Sequence, residues 1–106
     1  MKKLLLLALL MPALVQAAPV RRDDNGRIYR SRTVVARFQH STICPGTGRT
    51  GTPCRGYVVD HRKPLGCATS EAERLQLDRV SNLQYQTIAE GKAKDRIERK
   101  QCGVSD

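Results

Sequence analysis

The sequence is poor in aromatic residues: its 106 residues include no Trp, one Phe and three Tyr. Proteins that bind single-stranded nucleic acid by base stacking use aromatic platforms, so this scarcity argues against that class. Other large apolar residues are also few. Beyond residue 17, Leu, Ile, Val and Phe supply 16 of 89 residues, below the roughly 20% at which a charged chain can build a core of its own. The apolar core alone is therefore not expected to hold the fold.

Long hydrophobic segments are absent except at the N-terminus. Residues 1–17 combine two lysines, a leucine-rich run and the small-residue sequence Val-Gln-Ala, which is the pattern of a signal peptide cut after Ala17. The apolar stretch is shorter than the roughly 20 residues that span a bilayer. We expect an exported protein, periplasmic or secreted, with no membrane segment after cleavage. The predicted units are a signal peptide (1–17), a flexible basic arm (18–29) and one domain (30–106).

Acidic residues are the minority charge, with 10 Asp and Glu against 19 Lys and Arg, for a net charge of +9. Thirteen of the positive charges are arginines, and the planar guanidinium pairs with phosphate through two hydrogen bonds. An arginine-rich basic domain suits a polyanion such as nucleic acid. A small exported protein can also be basic without any polyanionic partner, and charge alone does not separate the two.

Cysteines number only four, and none forms a Cys-x-x-Cys pair, which makes a zinc site less favoured than disulfides. In a short exported chain, an even number of cysteines predicts disulfides that compensate for a thin core. We favour Cys44–Cys54, which closes a Gly- and Pro-rich turn, together with Cys67–Cys102. The pairing of Cys44 with Cys102 and of Cys54 with Cys67 is the alternative that the sequence leaves open.

Local patterns predict an α+β domain. A short helix or strand is expected over 31–39, and β-branched and aromatic residues predict strands over 56–60 and 82–86. Two capping boxes, in which a Ser or Thr is followed three residues later by Glu, predict helices over 70–80 and 87–101. The order is strand, long connection with its own helix, strand, helix.

Candidate chemistry begins at Asp60-His61, at the end of the first predicted strand. A histidine can take a proton from water near neutral pH, and a neighbouring carboxylate can hold a divalent cation. Hydrolysis of a phosphodiester uses both an activated water and a cation. Alone, the Asp-His pair is a weak indication of a site. It becomes more specific because three further segments follow it: Pro64-Leu65, Asn82-Leu83-Gln84 and Lys94.

This arrangement resembles the HNH endonucleases, the ββα-metal nucleases, and within them the small exported bacterial members. The matching features are a Cys-Pro-x-Thr-Gly turn, a Cys-x-Gly-Tyr lead into Asp-His, and an Asn-x-Gln run that continues into a basic helix. They lie at 44–48, 54–57, 60–61 and 82–96. The resemblance implies a small ββα-metal domain, here held by disulfides and with an extra helix between its strands. It also implies a metal-dependent endonuclease. The sequence contains no evident base-reading element, so we expect little sequence specificity, and we expect DNA rather than RNA as the substrate.

Residue roles follow from the resemblance. It implies that His61 is the general base, that Asp60 is a metal ligand, and that Asn82 and Lys94 complete the catalytic set. Asn82 would hold the hairpin, and Lys94 would face phosphate. The expected cation is Mg²⁺, with Mn²⁺ as the other candidate. Basic residues near these positions are expected to bind nucleic acid: Arg62, Lys92 and Arg96.

Two features depart from the family pattern. Gly91 stands where the family has a His or Asn ligand, so Glu90 is the candidate that replaces it, although Glu90 also belongs to a capping box. The segment 66–81 is longer than the family's short loop and should change the rim of the site. The alternative function is therefore a non-catalytic, disulfide-held module that binds polyanions. A basic protein that binds another protein is a third possibility, although no obligate protein partner is evident.

Overall fold

The computed structural model describes residues 18–102, which form an α+β fold of three α-helices and a two-stranded antiparallel sheet, closed by two disulfides. The predicted signal peptide lies outside the described residues. Within 18–102, no helix is long and apolar enough to cross a membrane. In chain order, the elements are α1 (Arg32–Ser41), β1 (Tyr57–His61), α2 (Glu71–Leu77), β2 (Leu83–Thr87) and α3 (Ile88–Cys102).

The two strands pair antiparallel along their whole length, from Tyr57 opposite Thr87 to His61 opposite Leu83. Each lies one residue later than the sequence predicted. Helix α3 follows β2 directly and packs against both strands. Its first turn is closed by the predicted capping box, in which Thr87 Oγ1 accepts from Glu90 N at 3.1 Å and Glu90 Oε1 accepts from Thr87 N at 3.1 Å. The resulting order, strand, connection, strand, helix, is the one expected.

The segment around 31–39 is helical, and the connection between the strands contains a shorter helix than expected. Ser31 caps α1 by accepting from Val34 N at 3.3 Å. Helix α2 begins at its predicted capping box, where Ser70 Oγ accepts from Glu73 N at 3.2 Å. It ends at Leu77 rather than near Val80, because Asp78 leaves the helical conformation with φ −89° and ψ 64°. A 3₁₀ turn over Val80–Asn82 then leads into β2.

The apolar core of the described residues is thin. Its buried members are Phe38, Cys44, Leu65 and Leu83, and the rings of Phe38 and Tyr85 lie 4.9 Å apart. Each large apolar side chain that is fully buried contributes about 1.5–3 kcal/mol. Five polar and charged side chains are buried alongside these four: Asp60, His61, Arg74, Asp78 and Glu98. Buried charges of this kind need partners, and their pairing organises the site described below.

Both disulfides have the pairing that the sequence favoured. Cys44 bonds Cys54 across the Gly- and Pro-rich turn, with Cα atoms 5.6 Å apart. Cys67 bonds Cys102, with Cα atoms 5.0 Å apart, and thereby joins the 3₁₀ turn after β1 to the last residue of α3. Two disulfides in a chain of this size indicate an extracellular or otherwise oxidising compartment.

Residues 18–29, expected to form a flexible arm, make specific contacts with α2 in the structure. A β-bridge joins Arg22 to Ile28. Glu71 links the segment to α2, since its backbone N–H donates to Ala18 O at 3.2 Å and its carboxylate accepts from Arg21 N at 2.9 Å. The Arg21 guanidinium also lies 3.7 Å from the centroid of the Tyr29 ring. The charged residues of this segment are thus partly engaged in pairs and cation–π contacts.

Candidate functional site

Asn82 holds the turn that follows β1. Its side-chain oxygen accepts from Lys63 N at 3.0 Å, and its amide nitrogen donates to Lys63 O at 2.9 Å and to Leu77 O at 2.8 Å. The backbone of Asn82 also accepts from Arg62 N at 2.7 Å. These bonds join the end of β1, the end of α2 and the start of β2. The role in catalysis that the resemblance implies for Asn82 stays a prediction.

His61, the candidate base, lies at this junction and is fully buried, with 0% of its surface exposed. Its Nε2 lies 3.0 Å from Oδ1 of Asp78, whose side chain is 2% exposed. A buried carboxylate at a ring nitrogen helps to orient an imidazole. Sequence reasoning missed Asp78. The one sequence feature that could have pointed to Asp78 is its position near the C-terminal end of a predicted helix. The helix dipole disfavours negative charge there, so an acidic residue at this place is unusual.

Asp78 is itself held in place by two donors. Its Oδ2 accepts from the backbone N–H of Ser31 at 2.8 Å and lies 3.5 Å from Nη1 of Arg74. Arg74 is buried, and it also donates to both carboxylate oxygens of Glu71 and to Tyr29 O at 3.1 Å. The hydrogen bonds from Arg74, and then from Arg21 N, lower the pKa of Glu71 to about 2. Glu71 therefore stays ionised and helps to keep Arg74 charged beside Asp78.

Asp60, the candidate metal ligand, contacts α3 rather than the α2 region. Its Oδ2 lies 3.0 Å from Nζ of Lys94, which also donates to the carboxylate of the buried Glu98. Burial by itself would lower the pKa of Lys94, but the hydrogen bonds and charges of Glu98 and Asp60 outweigh it and raise that pKa. Lys94 therefore remains an ammonium. The residue expected to face phosphate is thus paired, in the structure, with the residue expected to hold the cation.

An open cleft of about 280 Å³ lies between β1 and α3 beside Asp60. It is lined by Arg30, Val58, Val59, Asp60, Ile88, Gly91, Lys92 and Asp95. Arg30, which sequence reasoning did not single out, donates to Val59 O at 2.6 Å. A Cβ at Gly91 would lie 3.2 Å from Val58 Cγ2. Glycine at this position thus allows α3 to approach β1 closely, which is a packing reason for Gly91.

The three basic residues predicted to bind nucleic acid have different positions. Lys92 lines the cleft. Arg62 is exposed just beyond β1, where its Nε donates to Leu83 O at 3.4 Å, and Arg96 is exposed on α3. A larger cavity of about 540 Å³ lies against the disulfide-closed loop 46–55. None of the predicted catalytic, metal-binding or nucleic-acid-binding residues lines it.

Few of the described side chains could serve as ligands of a divalent cation. Glu90 is exposed, and its hydrogen bonds with the backbone and then the side chain of Thr87 lower its pKa. It does not line the cleft. Over residues 18–102, no three His, Cys, Asp or Glu side chains are grouped to hold one ion. These residues do not fit a cage built by the protein alone. Mg²⁺ commonly binds through one or two carboxylates, with water and substrate phosphate supplying the rest, and Asp60 is the candidate ligand beside the cleft.

Comparison with known proteins found no match: no protein-family model, no curated protein and no solved structure is similar to this chain. The functional proposal therefore depends on the motif residues and on the contacts that they make.

Proposed function

We propose that the protein is an exported endonuclease with a small ββα-metal, HNH-like domain, which hydrolyses phosphodiester bonds of nucleic acid. The observation that carries this proposal is the contact between His61 and Asp78. A histidine whose ring is held by a buried carboxylate, in a turn fixed by Asn82, has the arrangement of an oriented general base. Asp60, the residue before His61 in β1, adds a carboxylate, and Lys94 of α3 brings an ammonium to that carboxylate.

In the proposed reaction, His61 takes a proton from water as the water oxygen forms a bond to phosphorus. The bond from phosphorus to the leaving sugar oxygen breaks, and that oxygen gains a proton from solvent. General-base catalysis of this kind contributes about 10²–10⁴-fold. Because the His61 ring is fully buried, neighbouring side chains must move before water and phosphate reach it. The positive charges of Lys94, Lys92 and Arg30 would stabilise the charge that develops on phosphate.

Magnesium, or manganese, is the cofactor that we propose, with Asp60 as its protein ligand. When bound, the cation would supply positive charge to the phosphate oxygens. It would compete with the Lys94 ammonium for the Asp60 carboxylate, since the two side chains are already paired. The carboxylate of Glu90 is engaged in the cap of α3. Its assignment as a second metal ligand remains a prediction.

The substrate is proposed to be nucleic acid, DNA more than RNA, recognised through its backbone with little sequence specificity. The excess of arginine and lysine supports this choice, because phosphate contacts dominate non-specific binding to nucleic acid. The signal peptide would direct export of the domain to the periplasm or the exterior, and cleavage after Ala17 would release it. Such an oxidising location agrees with the two disulfides.

A non-catalytic polyanion-binding module is the second candidate, and two observations favour it. Gly91 has no side chain with which to bind metal, and the carboxylate of Asp60 is already paired with the ammonium of Lys94. On this alternative, the protein binds nucleic acid without cutting it.

The test is nicking of supercoiled plasmid DNA by the oxidised protein, with and without Mg²⁺ or Mn²⁺. His61→Ala should lose about 10²–10⁴ in rate and keep its affinity for DNA. His40→Ala is the matched control, since His40 is the other histidine and is exposed on α1. His61→Gln, which retains a donor for Asp78, serves if the alanine variant does not fold. An active His61 variant would disprove the proposed base, and DNA binding by an inactive wild type would establish the alternative.

A further inference from the structure

One stretch of the chain carries positive charge and no negative charge. Between Asn25 and Val59 there are six arginines and no Asp or Glu. In the structure, this stretch forms α1, the disulfide-closed loop 46–55 and the start of β1. Its arginines can therefore be neutralised only by carboxylates from elsewhere in the chain or by a bound anion. Their positions on the surface indicate where such an anion would bind.

Two of these arginines line the cavity of about 540 Å³ against the disulfide-closed loop, here called the loop cavity. Arg49 and Arg55 share it with three threonines of the loop, and no acidic residue lines it. Both arginines are exposed. Within residues 18–102, neither guanidinium forms an ion pair. Because a guanidinium pairs with phosphate through two hydrogen bonds, two such groups at one cavity suit a phosphate ligand.

The backbone of this loop is held in place by bonds within the protein. Cys44 is buried and bonded to Cys54, and its N–H donates to Arg49 O at 2.9 Å. Gly51 N donates to Gln39 O of α1 at 2.7 Å. A binding surface that is already ordered loses less conformational freedom when its ligand binds. The loop cavity is therefore largely preformed.

A second cavity, of about 450 Å³, connects the loop cavity with the cleft between β1 and α3. This α1 cavity is lined by Arg30, Arg32, Val35 and Gln39. Arg30 also lines the cleft, and its hydrogen bond to Val59 O uses only part of its donor capacity. Gln39 is bonded to Gly51, which lines the loop cavity. The cleft, the α1 cavity and the loop cavity are therefore neighbours on the surface.

We propose that these three cavities form one track that binds the backbone of nucleic acid and extends from the cleft to the disulfide-closed loop. The arginines of the track are Arg30, Arg32, Arg49 and Arg55. The α1 cavity and the loop cavity contain arginines and no carboxylate, whereas carboxylates line the cleft. A nucleic-acid backbone that leaves the cleft would thus meet only positive charge along this path. The inference rests on the proposed function, since it takes nucleic acid as the ligand.

Helix α1 also carries an arginine outside the track. Arg32, Val35 and Gln39 are three and four residues apart in turn, so they share one face of the helix. Arg37 lies two residues from both Val35 and Gln39, which places it about 200° around the helix axis from each of them. It is exposed and lines none of the three cavities. Arg37 therefore offers the same charge on the opposite face of the same helix.

The test is binding of a DNA duplex of about 24 base pairs, about 80 Å long, measured by fluorescence anisotropy in EDTA so that no metal-dependent cleavage occurs. Arg49→Ala/Arg55→Ala should lower the slope of log K against log salt by about 1.8, and Arg32→Ala should lower it by about 0.9. The matched controls are Arg27→Ala/Arg37→Ala and Arg37→Ala, which remove the same charge from exposed positions outside the three cavities. Each control should change the slope by less than about 0.3, because no phosphate contact is removed.

The outcomes separate this inference from the proposed function. Equal losses of affinity in track and control variants would overturn the track, because binding would then follow net charge alone. A wild type that does not bind the duplex would overturn it as well. Circular dichroism establishes that each variant is folded, and Arg32→Ala decides if the loop variant is not. The nuclease assignment is decided by plasmid nicking: an inactive wild type whose salt slope falls only in the track variants would overturn the nuclease and support the track.

Discussion

Removal of the Cys67–Cys102 disulfide should cost this protein a large part of its stability. The bond closes a loop with a sequence separation of 35 residues. On the chain-entropy model, a loop of that length corresponds to about 3.8 kcal/mol at 25 °C. Domains of this size have a total free energy of unfolding of roughly 4–13 kcal/mol. The double variant Cys67→Ala/Cys102→Ala should therefore be marginally stable or unfolded.

Urea unfolding followed by circular dichroism measures this loss. With a slope of about 1 kcal/mol per molar urea for a small domain, the midpoint should fall by roughly 3–4 M. Cys44→Ala/Cys54→Ala provides the comparison, since a separation of 10 residues corresponds to about 2.7 kcal/mol on the same model. Cys44 is also fully buried, so truncating it removes packing contacts as well. With only four apolar residues buried in the described part, the variant that lacks both disulfides should not fold.

A midpoint shift below about 1 M for Cys67→Ala/Cys102→Ala would refute the reasoning. It would mean that the attachment of α3 depends on the sheet contacts and on the Lys94 ion pairs rather than on the covalent link. Four titratable thiols in native, folded wild type would contradict the argument more directly, because neither disulfide would then exist.

The elements with local signals were predictable from the sequence. The capping boxes at Ser70 and Thr87 mark the starts of α2 and α3, because a side chain that satisfies orphan N–H groups is recognisable over four residues. The β-branched run ending at Asp60 marked β1, and the Gly- and Pro-rich turn beside Cys44 favoured the first disulfide. Each of these features depends on residues close together in the chain. The sequence therefore supplied the order of the elements.

The contacts that shape the site were less predictable because they join distant residues. Nothing near Asp78 in the sequence indicates His61, which lies 17 positions earlier. Its contacts also explain why α2 ends at Leu77, before the predicted boundary: the carboxylate must reach His61 and Ser31 N. Similarly, Lys94 on a basic helix suggested a phosphate contact, whereas the packing of α3 on β1 places its ammonium against Asp60. Such tertiary pairings override local propensity.

The remaining predictions concern the cleft, the packing of α3 and acid stability. Lys92→Ala should weaken DNA binding equally for all sequences and reduce the slope of log K against log salt by about 0.9; an unchanged slope in filter binding would place Lys92 outside the interface. Gly91→Ala should raise the free energy of urea unfolding by about 0.5–1 kcal/mol in a Val58→Ala background, through helix propensity, and by less in wild type, where the new Cβ lies 3.2 Å from Val58 Cγ2. Glu71 should make stability depend on pH at the acid end. Because its pKa falls from 4.5 to about 2 on folding, through Arg74 and then Arg21 N, the unfolded state binds its proton first as pH decreases. The contribution is therefore complete above pH 4.5 and is lost as pH falls toward 2. Urea midpoints measured at intervals across this window should decline more steeply in wild type than in Glu71→Gln, which cannot titrate. Equal slopes for the two proteins would show that the Glu71–Arg74 pair does not persist in solution.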